Sequence, residues 1–156
     1  MAHFARLNSD NIVTDVIVIN DADSGGGTLD TENTGITFCQ NHVGDNSSVW
    51  KQTSYNENFR GNYAGIGFTY MTGVRTLGVA STDIFVDQQP FSSWSIGVST
   101  ARWFSPLGDA PALTSEQFDR DEDYVWDEVA YQADNTVGWG LCKRQGVDTP
   151  VIYYYP

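Results

Sequence analysis

Ala2-His3-Phe4-Ala5-Arg6-Leu7, then Asn8-Ser9-Asp10, then Asn11-Ile12-Val13-Thr14-Asp15-Val16-Ile17-Val18-Ile19: this opening stretch decides the fold class. The second run is dense in β-branched residues, which are stiff at χ1 and pack well on a pleated surface. The tripeptide between the runs is turn chemistry, since Asn, Ser and Asp side chains bond their own backbone. Two strands and a short polar connection predict a β-hairpin.

The chain continues in the same manner. Residues 20–34 are polar and carry Gly25-Gly26-Gly27, which predicts a flexible surface loop. No Lys-Ser/Thr pair follows and acidic residues surround the glycines, so a phosphate loop is rejected. Residues 35–43 predict one short helix, capped by Asn33 or Thr34 and closed by Gly44, with Ile36, Cys39 and Val43 on one face. Residues 50–55 read as a third strand and 56–62 as a loop. Residues 64–71 place Ile66, Phe68 and Tyr70 at period two, the mark of a strand. Gly65 and Gly67 on its other face point to a closely packed backbone. Residues 72–81 read as a turn, and Asp83-Ile84-Phe85-Val86 can pair back onto 66–71.

Composition bounds the class. The chain has 156 residues, 13% of them aromatic, and a net charge of −12. That length is one domain's worth, or one domain with an extension. Aromatics that each bury roughly 150–250 Å² can fill a thin core. The negative charge repels phosphate backbones and anionic lipid, so neither nucleic acid nor membrane is an expected partner. The first residues lack the apolar core of a signal peptide. The expectation is a protein made in a host cytoplasm and kept soluble. Two cysteines, Cys39 and Cys142, are too few for a disulfide scaffold.

Four of the five tryptophans fall between Pro90 and Leu141. Trp94 and Trp103 flank Gly97-Val98-Ser99-Thr100, which suits a hairpin with a tryptophan on each strand. Trp126 and Trp139 flank a plausible turn at Ala133-Asp134-Asn135. The two units make a weak internal repeat: aromatic, Trp, turn, Trp. Such tryptophans are either the core of two small sheets or contact residues, since Trp and Tyr are favoured at binding hot spots. The end of the chain, Thr149-Pro150-Val151-Ile152-Tyr153-Tyr154-Tyr155-Pro156, is apolar. It is expected to dock, either on its own domain or as an added strand on a neighbour. The candidate partner contacts are thus Trp94, Trp103, Trp126, Trp139, Tyr153, Tyr154 and Tyr155.

No catalytic constellation emerges. Residues 109–134 hold nine acidic side chains and one basic one, Arg120. The run Asp119-Arg120-Asp121-Glu122-Asp123 alternates carboxylates, but an EF-hand needs Gly and Glu where Tyr124 and Ala130 stand. A solvated face, a patch for a basic partner and loose calcium binding are the remaining readings of that run. Cys39-x-x-His42 lacks the second pair of ligands that a zinc site needs. Asp127 and Glu128 point to opposite faces if they lie on a strand, so they do not form a glycosidase pair. No catalytic, cofactor or metal residue is assigned, and no cofactor is expected.

Several segments carry a resemblance. They are Phe4-Ala5-Arg6-Leu7-Asn8 with Asn11-Ile12-Val13-Thr14, Gly35-Ile36 with Phe38-Cys39, and Trp50-Lys51-Gln52-Thr53-Ser54-Tyr55-Asn56 running on through Asn58-Phe59-Arg60 to Asn62-Tyr63-Ala64-Gly65-Ile66-Gly67-Phe68-Thr69-Tyr70. Pro90-Phe91-Ser92-Ser93-Trp94 and Tyr124-Val125-Trp126-Asp127-Glu128 complete them. Together they resemble a family of short virion-associated proteins of marine bacteriophages, cyanophages above all. Residues 72–82 and the stretch after Trp139 depart from that pattern. The resemblance implies a non-enzymatic structural protein of a virion, an accessory or decoration component on the capsid surface or in the tail. It would be held by contacts with major capsid or tail proteins, or with copies of itself. The alternative is a glycan-binding module for host adsorption that uses exposed Trp or Tyr; a cell-wall hydrolase is the weakest reading.

The expected architecture is mainly β: a small antiparallel, hairpin-rich fold, sandwich- or barrel-like, with one short helix near 35–43. Residues 1–88 would form the N-terminal β-rich domain with that helix. Residues 89–141 would form a Trp-containing hairpin region, packed on it or as a small subdomain, and 142–156 an aromatic tail.

Overall fold

The computed structural model describes residues 1–74, 81–143 and, for backbone only, 151–153. The fold is β-rich, with several small antiparallel sheets and few helices. The chain divides into two compact units, Met1–Gln89 with Ile96–Arg102, and Pro90–Ser95 with Trp103–Pro156.

The first unit is built on the predicted hairpin. Strand β1 (Ala2–Leu7) pairs antiparallel with β2 (Val13–Ile19). The Asn8 side chain makes the turn by accepting from the Asp10 and Ile12 amides, both at 2.9 Å. Asn11 takes the left-handed conformation there, φ 60°, which Asn tolerates better than most residues. Residues 20–34 are not the expected flexible loop. Helix α1 (Asp21–Ser24) and a 3-10 turn (Leu29–Thr31) occupy them, and α2 begins at Glu32. Asn20 caps α1 by accepting from the Asp23 amide, and Gly25 closes it with φ 70°. The Gln52 side chain ties down the Gly27 carbonyl at 2.6 Å.

Helix α2 (Glu32–Val43) starts three residues before the expected point and ends at Gly44, in the left-handed cap anticipated for it. Its buried positions are Gly35 and Cys39, while Val43 is exposed. The helix lies so close to the sheet that a Cβ on Gly35 would overlap the Phe4 ring. Strand β3 (Val49–Thr53) then adds on the other side of β1, giving the order β2-β1-β3.

Alternation along β1 sends its side chains to two covers. Ala2 and Phe4 pack with Ile19, Cys39 and Trp50 beneath α2. Ala5 and Leu7 pack with Val13, Ala64, Tyr70 and Phe85 on the opposite face. That second cover is a ribbon of β4 (Thr69–Met71) and β5 (Ile84–Val86). The expected strand over 64–71 is therefore real only at its end. Gly67 has φ 89° and the Phe68 amide bonds the Gly65 carbonyl, so 65–68 is a turn and Ile66 is exposed. The close backbone approach expected at Gly67 is present, since its amide bonds the Val13 carbonyl at 2.8 Å.

Two short strands, β6 (Ser95–Ile96) and β7 (Trp103–Phe104), form the hairpin expected between Trp94 and Trp103. In the second unit, α3 (Ser115–Asp119) begins with a capping box of Thr114 and Gln117. Strand β8 (Glu122–Trp126) pairs with β9 (Trp139–Lys143), so Trp126 lies opposite Trp139. The connection is more than the expected turn, because it holds α4 (Glu128–Ala133), capped by Asp127. The sheet is completed by β10 (Val151–Tyr153) on β9, so the tail pairs within its own chain, one of the two expected outcomes. One short helix was expected, and α1, α3 and α4 are additional to it. Each is too short to show helical periodicity, and each is fixed by its cap.

Two outcomes follow from this packing. Gly35→Ala should lower stability by about 2 kcal/mol through overpacking against Phe4, although Ala is the better helix former; thermal or urea unfolding reads the sign. Glu32→Gln should cost about 3 kcal/mol, because it strands the buried Arg60 charge. The Glu32 carboxyl is held below its ordinary 4.5. Its contribution is thus complete above that pH and fades as pH falls through the lower folded value. Wild type and the variant should converge in acid.

Candidate functional site

Of the seven predicted contact residues, three tryptophans come together. Ring centroids of Trp94 and Trp126 are 5.9 Å apart, of Trp126 and Trp139 5.3 Å, and of Trp94 and Trp139 6.0 Å. All three pairs meet edge to face, the arrangement favoured by the ring quadrupole. Phe91 packs on Trp94 and Trp126, and Tyr131 of α4 packs on Trp126 at 5.1 Å. Trp126 is buried, and Gly138 leaves the space its ring fills. The Trp139 indole donates to the Gly108 carbonyl at 3.1 Å.

One carboxylate organises the rim. Glu128 accepts from the Ser92 hydroxyl at 2.7 Å, the Ser93 hydroxyl at 2.6 Å and the Ser93 amide at 3.1 Å. It also accepts from the Trp126 indole at 2.8 Å and the Gln132 amide at 2.9 Å. The serine hydroxyls, then the indole, hold its carboxyl down to about 2, against a smaller opposing effect of burial. Asp127 caps α4 instead, so the two adjacent carboxylates are structural elements with separate tasks.

The remaining candidates lie elsewhere. Trp103 is half-buried on β7. Tyr153 ends β10, its backbone opposite Leu141; Tyr154 and Tyr155 fall outside the described residues. The fifth tryptophan, Trp50, is fully buried in the first unit and donates to Ser48 at 2.9 Å. Cys39 lies on the buried face of α2, with its thiol pushed up to about 11 by burial. His42 stacks on Phe38 at the surface, so Cys39-x-x-His42 does not converge. Among the described residues no three His, Cys, Asp or Glu groups gather to hold a metal ion. None of their helices is long and apolar enough to cross a membrane.

Two sites were missed in the sequence. The first is a polar lock in the first unit. Arg60 bonds both oxygens of Glu32 and donates to the Gln52 carbonyl at 2.9 Å, while Glu32 accepts from the Gln52 amide at 2.7 Å. Burial alone would raise the Glu32 carboxyl, but the bonds from Arg60 and Gln52 outweigh it. Arg60 lies 5.6 Å and Lys51 5.5 Å from the Tyr70 ring, whose hydroxyl bonds Asp83 at 2.5 Å. The second is an aromatic patch. Tyr55, 69% exposed, stacks on His3 at 5.8 Å, and both meet Tyr63 edge-on. Burial, then the nearby N-terminal charge, lowers the His3 pKa, which favours its neutral form.

Comparison with known proteins finds no family model, no curated protein and no solved structure that matches this chain.

Glu128→Ala should loosen the Trp94–Trp126–Trp139 cluster, with a red-shifted tryptophan emission and a lower unfolding midpoint. The folded carboxyl lies near 2 against an ordinary 4.5. The glutamate's contribution is therefore complete above 4.5 and lost as pH falls toward 2. A fluorescence titration should show that acid change in wild type and not in Glu128→Gln.

Proposed function

We propose that the protein is a non-enzymatic structural component of a bacteriophage virion, held in place by protein–protein contacts. It would serve as an accessory or decoration piece on the capsid surface or in the tail, bound to major capsid or tail proteins or to further copies of itself. The place in a virion is supported by the resemblance of the segments from Phe4 to Glu128. The non-enzymatic role is supported by one observation above all: the most strongly held polar groups serve the frame. Glu128 braces the tryptophan cluster, and Glu32 with Arg60 closes one side of the first sheet. The net charge of −12 favours protein partners over nucleic acid or membrane. The finer architecture belongs to the same proposal. The β4–β5 ribbon layered on one face of the β2-β1-β3 sheet supports a sandwich-like first unit.

A second reading, a glycan-binding module, is favoured by a different residue from those first considered. Trp94, Trp126 and Trp139 turn their rings toward one another, whereas Tyr55 presents an exposed ring backed by His3. Aromatic faces of that kind stack on sugars.

Mass spectrometry of purified particles, with crosslinking to name the neighbouring chain, tests the first reading. The protein should be present at a fixed copy number. A stable monomer absent from particles would sink the proposal. Glycan-array binding that is lost on Tyr55→Ala would replace it with the second reading.

A further inference from the structure

The two edges of the first sheet are treated differently. Along β3, side chains occupy part of the outer edge, at Gln52 and at Ser48 just before the strand. Gln40 donates to the Ser48 carbonyl at 2.9 Å, Glu32 accepts from the Gln52 amide, and Arg60 donates to the Gln52 carbonyl. Side chains seated on the edge at these points obstruct pairing with another chain there. At β2 the closure stops after the first residue. The Val13 amide bonds the Phe68 carbonyl and its carbonyl accepts from Gly67, both at 2.8 Å. From Thr14 to Ile19 no further backbone partner meets the outer edge among the described residues.

That edge is also shaped to receive side chains. On the α2 side a groove of about 230 Å³ runs beside β2, lined by residues 17–20 together with Asp23, Phe38 and His42. On the other face Val18 is half-exposed and lies opposite His3. Pairing a strand to such an edge supplies main-chain hydrogen bonds, while alternate side chains take the groove. The charge selects the occupant. Asp23, whose carboxylate accepts from the Asn20 side chain, lines the groove and Asp15 is exposed on β2 itself, in a chain of net charge −12. A second copy would bring carboxylates against carboxylates. A sugar would need an open ring face, and the Phe38 ring already stacks on His42 at 6.2 Å.

We propose that the outer edge of β2 takes up an extended segment of another protein chain as a fourth strand of the sheet. That segment seats an aliphatic side chain in the Ile17–Phe38 groove and presents a lysine or arginine to Asp23 or Asp15. The proposal rests on the protein-contact reading above and names its surface.

The test uses the full-length protein and two synthetic ten-residue peptides. One alternates valine or isoleucine with lysine; the other carries glutamate in place of lysine. Amide hydrogen exchange at Thr14–Ile19 should slow at least tenfold with the basic peptide and stay unchanged with the acidic one. The protection should fall away in the Asp15→Lys variant, which changes one exposed side chain, and further in the Asp15→Lys, Asp23→Lys double variant. Three results would overturn the proposal: no slowing with either peptide, equal slowing with both, or slowing at Val49–Thr53 instead. Protection that rises with protein concentration alone would assign the edge to a second copy and overturn it too. The presence of the protein in purified particles is read separately. Particle-bound protein with an unprotected edge removes this surface and keeps the virion reading, and the reverse pair of results does the opposite.

Discussion

Strand β1 must bury both of its faces, and the first unit is arranged to meet that demand. Phe4 and Ala5 are adjacent in sequence, point to opposite sides, and are both fully buried. A single sheet with one cover could not achieve this. Helix α2 supplies one cover and the β4–β5 ribbon the other. Each large apolar side chain withdrawn from water contributes roughly 1.5–3 kcal/mol, so Phe4 and Trp50 under the helix, and Phe85 over the other face, dominate the balance. The demand also accounts for a residue that looks unfavourable in isolation. Gly35 weakens α2 as a helix, yet only a residue without a Cβ lets the helix approach the Phe4 ring.

The outer strands inherit a different problem, because each leaves a row of backbone groups without a strand partner. At β3 the solution is a buried ion pair used as a surrogate strand. Desolvating Glu32 and Arg60 is costly, and such a pair adds little net stability compared with apolar packing. Its value lies in geometry: one carboxylate and one guanidinium satisfy both the amide and the carbonyl of Gln52. Arg60 adopts φ 56°, a conformation that costs a non-glycine residue of order 1 kcal/mol or more. The strain is sustained because the guanidinium is held at three points. Among the described residues no such arrangement meets β2 beyond Val13, and the difference between the edges is chemical rather than a matter of strand length.

The second unit applies related logic to aromatic material. Its short strands cannot enclose an aliphatic core, so Trp94, Trp126 and Trp139 pack edge to face and Glu128 gathers the nearby donors. Ser92, Ser93 and Gln132 would otherwise compete for water at the cluster's margin. A single acceptor with two oxygens orders them and fixes the Trp126 ring at the same time. The lowered pKa of Glu128 is the electrostatic record of those bonds.

What was legible in the sequence was local. The hairpin of residues 2–19 follows from β-branching and turn residues, and the α2 C-terminus from Gly44. Spacing led to the return of Asp83–Val86 onto 66–71, of which Ile84–Val86 on Thr69–Met71 is realised, and to the facing of Trp126 by Trp139. The short capped helices were not legible, because four to six residues carry no period and their caps resemble ordinary turn chemistry. Neither was the strand limit at Thr69, since Ile66 and Phe68 keep the alternation that the turn at Gly67 breaks. The lock on Gln52 was hidden for another reason. Glu32 and Arg60 are 28 positions apart, each in a polar stretch where charge is unremarkable. Only the assembled sheet shows that both face the same peptide unit. Exposure of the tryptophans was undecidable by pattern, because a ring that stacks on a ligand and one that stacks on its neighbour require the same residue. The decision came from Glu128, three residues beyond Val125 in a run that reads simply as acidic. A carboxylate that accepts an indole proton and two serine hydroxyls fixes the Trp126 ring, against which Trp94 and Trp139 pack edge to face.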